Sequence, residues 1–279
     1  MMKNPCYQTL ITSADLQALA PGRLMLIDVG FDLADTAAGE RAYAAGHLPG
    51  AHYLHLDRDL SAAKTGTNGR HPLPDRAAFA AKLAALGLNT DTQVVSYDAQ
   101  GGMYAARLWW MLRWVGHAAV AVLDGGQAAW TGGLTVDLPA VTAGNFQLGE
   151  PRVAQTDAAG LRAQLGQIRL IDARAPERFR GEVEPLDAQA GHIPGASNRL
   201  FKNNLVADGR FKPADQLKAE FSALLGAHAP MSVIHACGSG VTACHNLLAM
   251  EHAGLGGSAL YPGSWSEWSS DSSRPIAKG

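Results

Sequence analysis

One cysteine stands where this sequence could most readily do chemistry. The segment HACGSGVTACH, residues 235–245, puts Cys237 at the start of a loop that carries two glycines and runs into a helical pattern. Glycines let a backbone curl tightly enough for its N–H groups to converge on one atom. Converging N–H groups and the N-terminus of a helix form an anion site, and the same field favours a thiolate over a thiol. Cys237 is therefore predicted to be a nucleophile rather than a buried apolar residue.

The five residues after the cysteine would hold a negatively charged sulfur. Their backbone N–H groups can donate to it, and two of them also carry a hydroxyl donor. The predicted stabilising residues are Gly238, Ser239, Gly240, Val241 and Thr242.

Two other kinds of cysteine site fit the sequence less well. A cysteine phosphatase carries an arginine six residues after its nucleophile to clamp phosphate oxygens, but here that residue is Ala243. A zinc site would need four converging ligands, whereas Cys244 and His245 are helical neighbours whose side chains diverge by about 100°. We therefore predict no metal. Cys244 is also too far along the helix to form a disulfide with Cys237 without rearrangement.

The same structural unit occurs twice in this chain. Four landmarks recur in one order at nearly constant separation, which indicates a tandem duplication. They are MLIDVG and RLIDAR, GHLPGA and GHIPGA, QVVSYD and SVIHAC, and VLDGGQAAW and LYPGSWSEW. The alignment puts Asp98 opposite Cys237, so only the second copy carries a nucleophile.

Each copy alternates short apolar runs with helical segments. This alternation predicts an α/β fold in which a mostly parallel sheet is flanked by helices. Cys237 would follow a strand, and ligands of such sheets bind outside the carboxyl ends of the strands. We expect an N-terminal domain over residues 1–135, a linker over 136–156 that is rich in turn residues, and a catalytic domain over 157–279.

The composition narrows the function classes. A formal net charge of −2 offers no basic surface for nucleic acid or membrane lipids. Three cysteines are too few and odd in number for a disulfide framework, which favours a reducing compartment. The N-terminal residues lack the apolar run of a signal peptide. The protein is predicted to be cytoplasmic, without nucleic-acid or membrane partners.

The motifs together resemble the two-domain rhodanese family of sulfurtransferases. The resemblance rests on CGSGVTA, the paired HLPGA and HIPGA boxes and the two endings with DGG and PGS before a tryptophan. It implies two tandem rhodanese-like domains, of which only the second is catalytic, in agreement with Asp98 in the first. Within the family, a neutral CGSGVT loop is similar to that of mercaptopyruvate sulfurtransferases.

The resemblance also assigns substrate-binding residues. The family's substrate-binding arginine corresponds to Arg178, with Arg174 as a weaker candidate at the end of a strand. Leu186 stands where mercaptopyruvate enzymes have a second arginine, and this departure keeps thiosulfate open as the donor. His47 matches a histidine that reaches towards the cysteine loop in some members, with Asp35 or Asp32 as its partner. It could equally anchor a turn, as His192 would in the other copy.

The implied reaction is sulfur transfer through a persulfide. Cys237 would take a sulfane sulfur from a small anionic donor, with mercaptopyruvate favoured and thiosulfate as the alternative. The acceptor would be cyanide or a thiol such as thioredoxin or glutathione, and no cofactor is implied. An alternative from another class is a persulfide carrier or redox-sensing protein without turnover.

Overall fold

The computed structural model describes residues 6–19 and 22–279, which form two compact units. Unit 1 contains the described residues of Met1–Leu60 together with Pro74–Arg152 and Ala207–Phe211. Unit 2 contains Ser61–Leu73, Val153–Val206 and Lys212–Gly279. The units therefore do not divide the chain at a single point, because Ser61–Leu73 belongs to the unit built mainly from the second half.

Unit 1 is built on a parallel five-stranded sheet with strand order β1-β5-β4-β2-β3. Its elements are β1 (Leu10–Ile11), α1 (Ser13–Ala18), β2 (Leu24–Asp28), α2 (Ala38–Ala45), β3 (Ala51–Tyr53), α3 (Arg76–Ala85), β4 (Gln93–Tyr97), α4 (Ala105–Trp114), β5 (Val120–Leu123) and a 3₁₀ turn, Gly126–Ala129.

Unit 2 repeats this sheet with strand order β6-β10-β9-β7-β8, again parallel throughout. Its elements are β6 (Ala154–Gln155), α5 (Ala158–Gln164), β7 (Arg169–Asp172), α6 (Pro176–Phe179), β8 (Ala196–Asn198), α7 (Ala214–Leu225), β9 (Val233–Ala236), α8 (Thr242–His252), β10 (Ala259–Leu260) and α9 (Ser264–Trp268), with 3₁₀ turns at Phe201–Asn204 and Pro230–Ser232.

The two sheets confirm the α/β fold that the alternating pattern predicted. The middle strands β4 and β9 are buried along their whole length, as expected of strands covered on both faces. Each is followed by a loop and then by a largely buried helix, α4 or α8. A strand–loop–helix corner therefore follows the middle strand of each unit, with Asp98 at the corner of unit 1 and Cys237 at that of unit 2.

The segment predicted as a linker is attached mainly to unit 1. Gly144 donates its N–H to the Ala84 carbonyl at 2.8 Å, and Phe146 donates to the Leu88 carbonyl at 3.0 Å. The side chain of Phe146 is buried. The end of the segment forms β6, which the sequence did not predict, because a two-residue edge strand shows no periodicity. No helix in the described ranges is long and apolar enough to span a membrane.

Candidate active site

Cys237 lies directly after β9, and α9 holds its backbone in place. Its N–H donates to Ser264 Oγ at 3.0 Å, and its carbonyl accepts from the Trp265 N–H at 3.0 Å. The residue is only 2% exposed. Hydrogen bonds on both sides of the cysteine fix the direction in which its Cβ and sulfur leave the backbone.

Ser264 is a site residue that the sequence analysis missed. Its φ of 51° lies in the left-handed region, which a residue other than glycine seldom adopts. The duplication explains this conformation, since the corresponding Gly126 of unit 1 has a φ of 60°. Serine accepts the strained backbone and places a hydroxyl where glycine has none, on the N–H of Cys237. Strain of this kind is typical of functional sites.

Unit 1 shows what the cysteine loop is built to bind. The carboxylate of Asp98 accepts backbone N–H groups from Gln100 and Gly102 at 2.8 Å and from Tyr104 and Ala105 at 2.9 Å. Four donors thus converge on one negative group at the corner between β4 and α4. The first repeat is a complete anion nest that is filled by its own side chain.

In unit 2 the equivalent donors have no such acceptor. The N–H groups of Ser239, Val241 and Ala243 correspond by alignment to three of the donors around Asp98. None of these three has a hydrogen-bond acceptor in the part of the chain that the structure describes. An anion attached to Cys237 would therefore meet donors that are still free.

Glycine is required at the tightest point of this loop. Gly240 has a φ of 75°, and a Cβ at this position would lie 2.3 Å from the Pro262 carbonyl oxygen. Gly238 meets a different neighbour, because its Cβ would lie 2.7 Å from Arg70 Nη2 and 3.6 Å from Arg178 Nη1. Two guanidinium groups therefore flank the backbone immediately after Cys237.

Arg178, the predicted substrate-binding arginine, lies on the short helix α6. Its Nη2 donates to Glu184 Oε1 at 2.6 Å and to Asp187 Oδ2 at 3.2 Å. Its Nε is buried and has no partner among the described residues. One edge of the guanidinium is thus held by carboxylates, and the Nη1 edge is left towards Gly238.

Arg70 is a second arginine at the site that the sequence analysis did not find. It comes from the segment Ser61–Leu73, where its backbone N–H donates to Ser266 Oγ at 3.0 Å. Its Nη1 donates to Asp187 Oδ1, and its Nε, like that of Arg178, has no partner in the described structure. Arg70 thus lies beside Cys237 and gives the site a second arginine. It comes from a different part of the chain than position 186, where the family resemblance implied one and the sequence has leucine. Leu186 itself is 44% exposed.

His71 is the imidazole that contacts the cysteine loop. Its Nδ1 lies 2.7 Å from Ser239 Oγ, and both residues are buried. His71 could not be placed at the site from the sequence because GRHP lies far from Cys237 in the chain and outside the repeated landmarks. The one feature of the sequence that could have indicated His71 is the basic pair Arg70–His71 in a glycine-rich loop.

His47, the histidine considered from the sequence, is held by unit 1 itself. Its Nδ1 lies 2.8 Å from the Tyr43 carbonyl oxygen and its Nε2 lies 3.2 Å from that of Asp137. The ring also stacks on Tyr43 at 3.9 Å, as His192 stacks on Phe179 at 3.8 Å in unit 2. Both ring nitrogens face carbonyl groups, so the geometry favours the anchoring role over acid–base chemistry.

Arg174, the weaker substrate-binding candidate, is buried and surrounded by partners. It is 3% exposed, donates to the Asp172 carboxylate and to the Gly191 carbonyl at 2.8 Å, and lies over the Trp265 ring at 4.9 Å. Its third partner is Glu184, at 3.4 Å from Nη1. These contacts favour a role in holding the end of β7 over direct contact with a ligand.

Cys244 and His245, which were considered for a metal site, and His235 on β9 have separate partners. Cys244 Sγ donates to the Gly240 carbonyl at 3.3 Å, and His245 Nδ1 lies 3.1 Å from Asn204 Nδ2. His235 Nε2 lies 3.2 Å from Met250 Sδ, and burial lowers the pKa of His235 to about 3. These contacts account for the three side chains as parts of the core of unit 2.

Known proteins match this chain over most of its length. A family model described as "Rhodanese-like domain" matches residues 14–132 and 157–271. Over 97% of its length, the chain is 50% identical to a "Probable 3-mercaptopyruvate sulfurtransferase" of Pseudomonas aeruginosa, of which 98% is covered.

More distant proteins match over almost the same range. The thiosulfate sulfurtransferase of Bos taurus is 32% identical, with 90% of this chain and 86% of the relative covered. The crystal structure of SseA from Escherichia coli, described among 3-mercaptopyruvate sulfotransferases, aligns with a TM-score of 0.78 and 31% identity. That alignment covers 94% of this chain and all of the other.

Proposed function

Because this chain belongs to the rhodanese family, with a rhodanese-like domain in each half, we propose that it is a sulfurtransferase that acts through a persulfide on Cys237. The donor is a small anion, with mercaptopyruvate favoured and thiosulfate as the alternative. The observation that carries the proposal is the pairing of three unoccupied loop N–H groups with two arginines beside Cys237.

The first half-reaction follows from this arrangement. The Cys237 thiolate attacks the sulfur of mercaptopyruvate, an S–S bond forms and the carbon–sulfur bond breaks. The bonding pair leaves on carbon as the pyruvate enolate, which takes up the proton that the sulfur loses. With thiosulfate, the same attack releases sulfite instead. In both cases the enzyme keeps one extra sulfur as a persulfide.

The loop stabilises the charge in both half-reactions. Of the residues predicted to stabilise the sulfur, Ser239 and Val241 align with donors of the Asp98 nest, and Ala243 adds a third N–H; Gly238, Gly240 and Thr242 shape the loop between them. The donor carboxylate pairs with Arg178 and Arg70, whose forked N–H groups suit a planar anion. Arg174 supports the site from below.

Ser239 and His71 supply a route for the proton. A hydroxyl next to the reacting sulfur and an imidazole 2.7 Å from that hydroxyl can carry the proton to the enolate carbon. This role replaces the one considered for His47. It applies to mercaptopyruvate and not to thiosulfate, because sulfite leaves without needing a proton.

The second half-reaction requires an acceptor for the outer sulfur. A thiolate, such as that of thioredoxin or glutathione, or cyanide attacks the outer sulfur and regenerates the Cys237 thiolate. We place this chemistry in the cytoplasm, where thiols are kept reduced, and the three cysteines are free in agreement with this.

Turnover with both donors tests the proposal. Pyruvate and thiocyanate are followed side by side for the wild type and for Cys237→Ser, with cyanide as the acceptor. We expect catalytic turnover of mercaptopyruvate that the substitution abolishes. Release of at most one equivalent, with a persulfide present on Cys237, would contradict the enzyme and identify a carrier. Faster turnover of thiosulfate would make thiosulfate the preferred donor.

A further inference from the structure

A carboxylate joins the two arginines beside Cys237. Asp187 accepts from Arg70 Nη1 through one oxygen and from Arg178 Nη2 through the other, the second contact being 3.2 Å. Its side chain is 4% exposed, whereas those of Arg70 and Arg178 are 22% and 17% exposed. A fixed negative charge is thus buried behind two guanidinium groups that still reach solvent.

Glu184 plays a different part from Asp187. One of its oxygens accepts the N–H groups of Leu186 at 3.1 Å and Asp187 at 3.2 Å, as well as Arg178 Nη2 at 2.6 Å. Its other oxygen lies 3.4 Å from Arg174. Glu184 therefore closes the turn that positions Asp187, while the Asp187 carboxylate accepts hydrogen bonds from the two arginines.

The charges of the connected side chains cancel. Three guanidinium groups and three carboxylates form one chain of contacts, so their formal charges sum to zero before a donor binds. The connected residues are Arg70, Asp187, Arg178, Glu184, Arg174 and Asp172. Nearest to Cys237, Arg70 and Arg178 share Asp187, and Arg178 also contacts Glu184.

We infer that Asp187 is a specificity-determining residue that makes the donor site select a monoanion over a dianion. The inference rests on the proposed function. A singly charged carboxylate, as in mercaptopyruvate, pairs with Arg70 and Arg178, whose charges Asp187 and Glu184 already offset. The second charge of thiosulfate has no further cation among these residues and is repelled by the Asp187 carboxylate. Asp187 thus determines specificity by repelling the dianionic donor, thiosulfate.

Removal of this charge without change of shape tests the inference. In Asp187→Asn, we expect the kcat/KM for thiosulfate to rise by about tenfold relative to that for mercaptopyruvate, mainly through KM. Asp187→Glu keeps the charge and should keep the wild-type preference. Glu182→Gln is the matched control, since Glu182 lies in the same loop, is 54% exposed and pairs with Arg180 away from Cys237.

The donor preference is measured at the first step, as the rate of persulfide formation on Cys237 by mass spectrometry of the intact protein. An unchanged ratio of the two donors in Asp187→Asn would overturn the inference. An equal rise in KM for both donors would also overturn it, because it would mean that Asp187 only positions the arginines. Thermal unfolding of each variant verifies that it is folded.

A second readout separates this inference from the proposed function. Protection of Cys237 from iodoacetamide is measured with sulfate as a dianion and pyruvate as a monoanion. Asp187→Asn should strengthen protection by sulfate about tenfold more than protection by pyruvate. If the wild type forms no persulfide from either donor, the proposed function fails, while the protection ratio still decides the role of Asp187.

Discussion

Asp28 and Asp172 occupy the same position in the two repeats, at the ends of β2 and β7, but they have different surroundings. Asp172 is paired with the Arg174 guanidinium, whereas the residue at the corresponding position in unit 1 is Gly30. Asp28 accepts the N–H of Gly30 at 2.8 Å and is 5% exposed. Burial, with no arginine among the described residues paired to this carboxylate as in unit 2, raises the pKa of Asp28 to about 6.

The two aspartates should therefore respond in opposite directions to the same substitution. The pKa of Asp28 lies higher in the folded than in the unfolded state, so its contribution to stability is lost as pH rises through about 6. At pH 8, Asp28→Asn should raise the free energy of unfolding by about 2–3 kcal/mol, and the gain should vanish near pH 4. Asp172→Asn should lower it by about 3 kcal/mol, because it leaves Arg174 buried without its closest carboxylate.

Urea unfolding of both variants between pH 4 and pH 8, followed by tryptophan fluorescence, measures these changes. Asp91→Asn is the control, since Asp91 is a surface residue, 60% exposed, that pairs with Arg23. Destabilisation of Asp28→Asn at pH 8 would show that the Asp28 charge is compensated in the folded protein.

At the scale of elements, the corner between the middle strand and the following helix has the same backbone arrangement in both units but a different chemical role. In both units the backbone carbonyl of the residue after the middle strand accepts a hydrogen bond at 3.0 Å. In unit 1 the Gln127 N–H donates to the Asp98 carbonyl, and in unit 2 the Trp265 N–H donates to the Cys237 carbonyl. The backbone is shared, and the side chain decides the chemistry. A carboxylate satisfies the nest from within, whereas a cysteine leaves it open to a bound sulfur.

Removal of the internal carboxylate should expose the nest of unit 1. In Asp98→Ala, four N–H groups lose their acceptor, and we expect the free energy of unfolding to fall by about 3 kcal/mol. Sulfate should restore part of this loss, because an external anion can take the place of the carboxylate. The measurement is the unfolding midpoint with and without sulfate at constant ionic strength. Asp91→Ala, again at the surface, should gain nothing specific from sulfate, and an equal response of the two variants would refute the nest.

Much of this corner could be predicted from the sequence. The duplication, the strand before Cys237 and the glycine loop are local patterns, and the fold they implied is confirmed by the family comparison and by the two sheets. Ser264 was missed because its backbone conformation is visible only beside its glycine counterpart. Arg70 and His71 were missed because they lie in a segment without helix or strand periodicity, and only tertiary packing brings that segment to Cys237.

At the scale of the whole molecule, the chain crosses between the two units. Residues Ser61–Leu73 follow β3 of unit 1 but fold as part of unit 2, and Ala207–Phe211 does the reverse. The domain bounds expected from the sequence, 1–135 and 157–279, separate Arg70 and His71 from the cysteine loop. A fragment cut at those bounds would keep the nucleophile but lose part of the surrounding site.

The isolated second half should therefore be a poor enzyme. A fragment of residues 153–279 contains Cys237, Arg178 and the whole sheet of unit 2, yet it lacks the Arg70 guanidinium and the His71 imidazole. We expect its kcat/KM for mercaptopyruvate to fall by at least about 100-fold, because the donor is then held by one arginine and its proton route is absent. The full-length chain with Arg70→Ala and His71→Ala is the matched control, since it loses the same side chains and keeps the rest. A similar loss in both proteins, with a native circular dichroism spectrum for the fragment, would assign the defect to these two residues. A fragment as active as the intact chain would show that Ser61–Leu73 contributes nothing to catalysis.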